Sequence, residues 1–204
     1  MFTQDNMKET LVLFDFDGTL ARGDSMLAFA RFYCGNARFL LGLFYLLPML
    51  LAYKAGWIPN WRAKEYFLTY FFGNEPLPRF QQGCERFAKE KLPGMLRPKG
   101  LGCLKKHLAS GSPAVVVSSS AEDWLSPWCR QQHIPLIGSR LETRDGQITG
   151  KLDGPNCYGD EKARRIRELF NLDDFSEIIA YGDSKGDFAM FGLATRHYYK
   201  PFRK

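Results

Sequence analysis

Two pairs of closely spaced carboxylates dominate the chemistry this chain could perform. They are Asp15 and Asp17 in Asp15-Phe-Asp-Gly-Thr19, and Asp183 and Asp187 in Gly182-Asp-Ser-Lys-Gly-Asp187. Carboxylates two residues apart at a strand end repel one another, so the first pair implies a bound cation or a proton shared between working groups. The second pair adds hard oxygen donors of the kind Mg²⁺ takes. Between the pairs lie Ser118 to Ser120, among which Ser118 can donate to a phosphoryl oxygen. Lys162, near a helix start, can neutralise a phosphate or a developing phosphorane.

The elements that must position these groups follow from local patterning. Leu11-Val-Leu-Phe14, Ala114-Val-Val-Val117 and Ile178-Ile-Ala-Tyr181 are short apolar runs, each ending in polar or acidic residues. Such runs are buried parallel strands, with ligand groups at their carboxyl ends. Helical patterns over 121–132 and 160–170 alternate with them, which predicts an α/β, doubly wound parallel sheet. Asp145-Gly146 within Arg140 to Lys151 predicts a β-hairpin. Residues 24–98 break the alternation with helical periodicity, punctuated at Gly56-Trp-Ile-Pro59 and Gly73-Asn-Glu-Pro76, and predict a helical insertion after the first strand.

In chain order, Asp15-x-Asp17-Gly-Thr19, Ser118 after an apolar strand, Lys162, and Gly182-Asp183-x-x-x-Asp187 resemble the four motifs of the haloacid dehalogenase superfamily. The resemblance implies a Rossmann-like core over 1–23 and 99–204, with an all-helical cap over 24–98. It implies that Asp15 is the nucleophile of an aspartyl-phosphate mechanism and Asp17 the general acid and base. An Asp at the second position resembles the phosphatase branch, since the dehalogenase branch lacks it. Mg²⁺ would then be held by Asp15, the Asp17 carbonyl and Asp183, with Asp187 in support, while Ser118, Ser119, Lys162 and Thr19 would meet the phosphoryl group. The early helical insertion resembles the phosphoserine-phosphatase-like subclass, in which Asp24 aligns near an acidic cap-entry residue. No arginine stands at that subclass's substrate-carboxylate position; Arg62, the nearest candidate substrate contact, and Lys64 lie out of register. Ser184 and Gly186 also replace the glycine and asparagine of its Gly-Asp-Gly-x-Asn-Asp ending.

Composition narrows the partners. With 204 residues, 45% of them hydrophobic, the chain can bury a core with a small accessory domain, which excludes disorder. The formal charge of +6 favours anionic partners. The basic runs at 162–167 and 200–204 carry no nucleic-acid reader motif, so no nucleic acid is expected. Met1 to Thr10 lack an apolar signal core, which places the chain in the cytoplasm by default. Five widely spaced cysteines (34, 84, 103, 129, 157) read as reduced and structural.

Phe39 to Tyr53 is a fifteen-residue run without charge, flanked by Arg38 and Lys54. As a helix of ~1.5 Å per residue it reaches ~22 Å, short of a ~30 Å hydrocarbon core. It reads either as a buried cap helix bent or ended near Pro48, or as a membrane-facing segment completed by Trp57 and Trp61 over 39–61. In the second respect it resembles phosphatidylglycerophosphatase-type members, which implies a peripheral enzyme at the inner membrane face. The expected partner is thus a phosphorylated small molecule or lipid. The alternatives are hydrolysis of a soluble metabolite (phosphoserine or histidinol phosphate type), a phosphotransferase, and a non-catalytic binder.

Overall fold

Leu11, Val12, Leu13 and Phe14 are all fully buried, because their strand is covered on both faces. Leu11 and Leu13 join a core with Val115, Val117 and Ile166, whereas Val12 and Phe14 join a larger one with Val116, Trp124 and the helical insertion. The two-residue alternation of a strand thus feeds two layers. The computed structural model describes residues 9–203, so most of the amino-terminal segment read for a signal lies outside the described residues.

The elements run β1 (Thr10–Phe14), α1 (Ser25–Cys34), α2 (Asn36–Tyr45), α3 (Leu47–Lys54), α4 (Asn60–Phe72), β2 (Glu75–Pro76), α5 (Leu77–Glu90) and α6 (Leu92–Met95). There follow α7 (Pro98–Ala109), β3 (Ala114–Ala121), α8 (Glu122–Gln131), β4 (Leu136–Ser139), β5 (Leu141–Arg144), β6 (Gln147–Leu152), α9 (Asp160–Leu169), β7 (Glu177–Gly182), α10 (Phe188–Phe191) and β8 (Arg196–Tyr199). The main sheet is parallel, in the order β4-β3-β1-β7-β8. This is the predicted α/β fold. Because β1 lies between β3 and β7, the acidic and serine-rich strand ends of the sequence become neighbours at one edge.

The hairpin is present as β5 and β6, turning through Asp145 and Gly146, both at positive φ. Glu75–Pro76 pairs with β6 and makes it a three-stranded antiparallel sheet, so the insertion carries a short strand besides its helices. Phe29 of α1 stacks on Trp124 of α8 at 5.2 Å and meets Phe72 of α4 and Phe80 and Phe87 of α5. Trp128 packs edge-on against Phe16. The five cysteines are unpaired.

The apolar run over 39–53 is broken as expected near Pro48: α2 and α3 meet at Leu46 with a 57° bend. The run is buried on one side alone. Only Phe39, Gly42 and Leu46, spaced along one stripe, are fully buried, while Leu43 of α2 and Met49 and Leu50 of α3 are partly buried against the core. Gly42 permits this contact, since a Cβ there would fall on Tyr70 and Phe71 of α4. The opposite side leaves Leu40, Leu41, Phe44 and Leu51 exposed, with Phe44 at 78% and the following Trp57 at 83%. Among the described residues no single helix is long and apolar enough to cross a membrane; α2 and α3 pass that test only as a bent pair.

Candidate active site

Asp15 leaves the end of β1 almost fully buried, and three residues hold it. Lys162 Nζ donates to its Oδ1 at 2.7 Å, and Thr19 Oγ1 donates to its Oδ2 at 2.9 Å. Its backbone N–H donates to the Tyr181 carbonyl at 2.9 Å, which locks β1 to β7 where the carboxylate emerges. Lys162 also donates to the Val117 carbonyl at 2.8 Å and to Asp187 Oδ1 at 2.7 Å, so all three of its N–H groups are engaged. The basic run at 162–167 is therefore not simply a solvated face. Lys162 is buried, and Arg165 is half-buried between Glu161 and the Pro155 carbonyl.

Asp187 is placed by a short 3₁₀ turn over Lys185–Asp187. Its Oδ2 accepts from the N–H groups of Asp183 and Ser184 at 3.0 and 2.9 Å and from Ser184 Oγ at 3.0 Å. Oδ1 is thereby aimed at Lys162. Asp183, partly exposed, pairs with Arg203 of the carboxyl-terminal turn. One carboxylate oxygen from each of Asp15, Asp183 and Asp187 lies within 4.8 Å of the others. Three hard oxygen donors this close fit a divalent cation. Gly18 makes room for the cluster: its φ is +79°, and a Cβ there would fall on the Asp183 carboxylate.

Asp17, of the predicted metal residues, turns its carboxylate elsewhere. Oδ1 accepts from the Ser25 N–H at 2.7 Å, and Oδ2 accepts from Ser120 Oγ at 2.5 Å and Ser25 Oγ at 3.1 Å. Trp124 Nε1 donates to Ser25 Oγ at 3.2 Å. Ser25 and Ser120 carried no sequence signal as partners of Asp17, being eight and 103 positions away from it.

Burial sets the charge states. It lifts the Asp15 carboxyl to about 7, against the pull of Lys162, with Asp187 adding to the rise. Burial also lifts Asp17 to about 6, helped by Asp24 and opposed by the hydroxyls of Ser120 and Ser25. For Asp187, burial acts upward, but Lys162 and the backbone donors outweigh it and hold the carboxyl below its usual range. Burial alone would lower Lys162; Asp15 and Asp187 overcome it and keep the ammonium charged.

The remaining candidates separate. Ser118 is buried with its Oγ accepting from the Ser120 N–H at 3.1 Å. Ser119 turns its carbonyl toward Lys64 and Ser139 Oγ. Asp24 caps α1 by accepting from the Leu27 N–H at 3.0 Å. With Asp17, Ser119 and Ser120 it lines a cavity of about 370 Å³, whose other wall is Met26, Leu27, Leu43, Leu50, Tyr53 and Phe67. Arg62 is not brought to the site: it is exposed, its guanidinium 5.9 Å from the Trp61 ring centre. Lys64, two residues on, is buried and lines the cavity instead.

The chain belongs to the haloacid dehalogenase-like hydrolases, whose family profile matches residues 12–192. It is 35% identical to protein CicA of Caulobacter vibrioides over 195 residues, covering 95% of this chain and 86% of that one. A Mycobacterium tuberculosis protein described as a probable phosphatase is 34% identical over 87 residues, covering 41% of this chain and 30% of its own length. Among solved structures, a Bordetella pertussis protein of unknown function superposes with a TM-score of 0.80 at 24% identity, covering 94% of this chain and 89% of its own. A substrate-bound phosphoserine phosphatase does so with a TM-score of 0.67 at 18% identity, covering 94% and 86%. These two structures share the fold.

Proposed function

We propose that the protein is a Mg²⁺-dependent phosphomonoesterase that works through an aspartyl-phosphate on Asp15 and acts on a lipid phosphate. One observation carries the reading. The two carboxylates of the Asp15-x-Asp17 turn face different surroundings, Asp15 the acidic cluster and Lys162, Asp17 the apolar cavity of about 370 Å³. A phosphoryl group at the first places its ester oxygen and apolar alcohol toward the second.

In this reading Asp15 attacks phosphorus, forming an O–P bond as the ester P–O bond breaks, and Asp17 gives its proton to the departing alkoxide. Asp17 then takes a proton from water as the water oxygen attacks phosphorus, and the Asp15 O–P bond breaks to release phosphate. A pKa near 6 suits Asp17 to both transfers near neutrality. Lys162 holds Asp15 in place and offsets charge on the phosphoryl oxygens. Asp15, Asp183 and Asp187, with the Asp17 carbonyl, would hold Mg²⁺, which would supply charge neutralisation between nucleophile and phosphate. Thr19, Ser118 and Ser119 are taken as phosphate contacts, Asp24 as a substrate-side residue, and residues 24–98 as a cap over a core of 1–23 and 99–204.

The exposed apolar side of α2 and α3 supports peripheral membrane contact through 39–61. No acidic residue occurs from Ser25 to Lys64, while Arg31, Arg38, Lys54 and Arg62 do, so this side suits an anionic lipid surface. The test is phosphate release from phosphatidylglycerol phosphate, phosphatidic acid, phosphoserine, histidinol phosphate and sugar phosphates, with Mg²⁺ and with chelator. Selective turnover of a lipid phosphate is expected. Selective turnover of a soluble phosphate overturns the lipid assignment, and transfer to an added alcohol without free phosphate makes the enzyme a phosphotransferase.

A further inference from the structure

Lys64 carries a buried ammonium that the proposed chemistry does not use. Its Nζ donates to three oxygens: the Ser119 carbonyl, Asn156 Oδ1 at 2.8 Å and Ser139 Oγ at 3.2 Å. An ammonium has three hydrogens, so none is left for a ligand in the cavity it lines. The three acceptors sit 55, 92 and 75 positions away, on the end of β3, the loop before α9 and the end of β4. They also bond one another, since Ser139 Oγ contacts the Ser119 carbonyl at 2.7 Å and Asn156 Oδ1 at 2.9 Å. One helical turn before Lys64, Asn60 accepts from Asn156 Nδ2 at 2.9 Å. Burying an ammonium among neutral acceptors is costly unless each hydrogen is matched, and here each is.

We infer that Lys64 is a clasp, not a substrate-binding cation: it fastens α4, a wall of the cavity, to the ends of β3 and β4 and to the loop before α9, the segments that support Asp17 through Ser120 and lead to Lys162. Ser119 adjoins Ser120, whose hydroxyl holds Asp17. Asn156 lies in the loop leading into α9, which delivers Lys162 to Asp15. Lys64 is thus a positioning residue for both, acting through Ser119 and Asn156. Its kinetic consequence rests on the phosphatase reading, whereas its structural consequence does not.

The experiment is a double-mutant cycle on the full chain with Lys64→Met and Asn156→Ala, assayed on p-nitrophenyl phosphate and phosphoserine and followed by hydrogen exchange. Lys64→Met should lower kcat by about tenfold or more on p-nitrophenyl phosphate with KM within about threefold. Asn156→Ala should lower it less, and the double variant should be no worse than Lys64→Met alone. Amides over 117–121 and 154–158 should exchange faster in each. A rise in KM confined to phosphoserine, with kcat kept, would make Lys64 a substrate-binding cation and overturn the clasp. Multiplicative effects of the two changes would overturn it as well. If Lys64→Met does not fold, Asn156→Ala alone decides, and unchanged exchange over 117–121 refutes the inference. Absence of phosphate release from the wild type refutes the phosphatase reading instead, and exchange then judges the clasp by itself.

Discussion

At the scale of residues, the two carboxylates of one turn have different neighbours, which suits the division of labour proposed for them. Asp15→Asn should abolish phosphate release, by at least about 10³-fold, while substrate still binds in equilibrium dialysis. Asp17 makes a prediction about stability. Its folded pKa, about 6, stands above the ordinary 3.8, so the fold favours the neutral carboxyl. The stability this lends is full below about pH 4 and is lost as pH rises through about 6. In chelator at pH 8, Asp17→Asn should therefore be more stable than the wild type by about 1–3 kcal/mol, and the gap should close in thermal melts toward pH 4. Gly18→Ala should cost activity and about 1–3 kcal/mol, measured by denaturant unfolding, because Cβ meets both a left-handed backbone and the Asp183 carboxylate.

At the scale of elements, the bent α2–α3 pair is where composition and burial disagree. Replacing Leu41, Phe44 and Trp57 together by Glu should abolish co-sedimentation with anionic vesicles and leave turnover of a short-chain soluble phosphate within about twofold. Vesicle binding that survives this change would place the membrane contact elsewhere. The same elements show what the sequence could tell. β1, β3 and β7 were legible because burial on both faces writes an unbroken apolar run ending in chemistry-bearing residues. β8, Arg196–Tyr199, is exposed throughout and has no such run; its partner β7 decides it. β2 is two residues long and exists only because β6 lies alongside. Lys64 and Arg62 could not be told apart by pattern, since one helix carries both and only the tertiary packing decides which cation turns inward. Exposure of the 39–53 run was equally hidden, because an apolar helix reads alike whether protein, lipid or water covers it.

At the scale of the whole molecule, the parallel sheet gathers Asp15, Asp183 and Asp187 from two adjacent strand ends, and a cation binding them should stabilise the entire fold. Mg²⁺ at a hundred times its dissociation constant should add about 2.7 kcal/mol, read as a rise in melting temperature that chelator reverses and Asp183→Asn removes. A melting temperature indifferent to Mg²⁺ in the wild type would argue against a metal here. The chain's return to this site from its far end matters too. Phe202 stacks on Tyr181 at 5.5 Å, its carbonyl meets Arg97 at 3.4 Å, and Arg203 pairs with Asp183. Whatever follows Arg203 along the chain therefore starts beside the acidic cluster. A polyhistidine affinity handle placed there would bring competing imidazoles to any metal these carboxylates bind, so the identity of the purification tag becomes a variable of the enzymology.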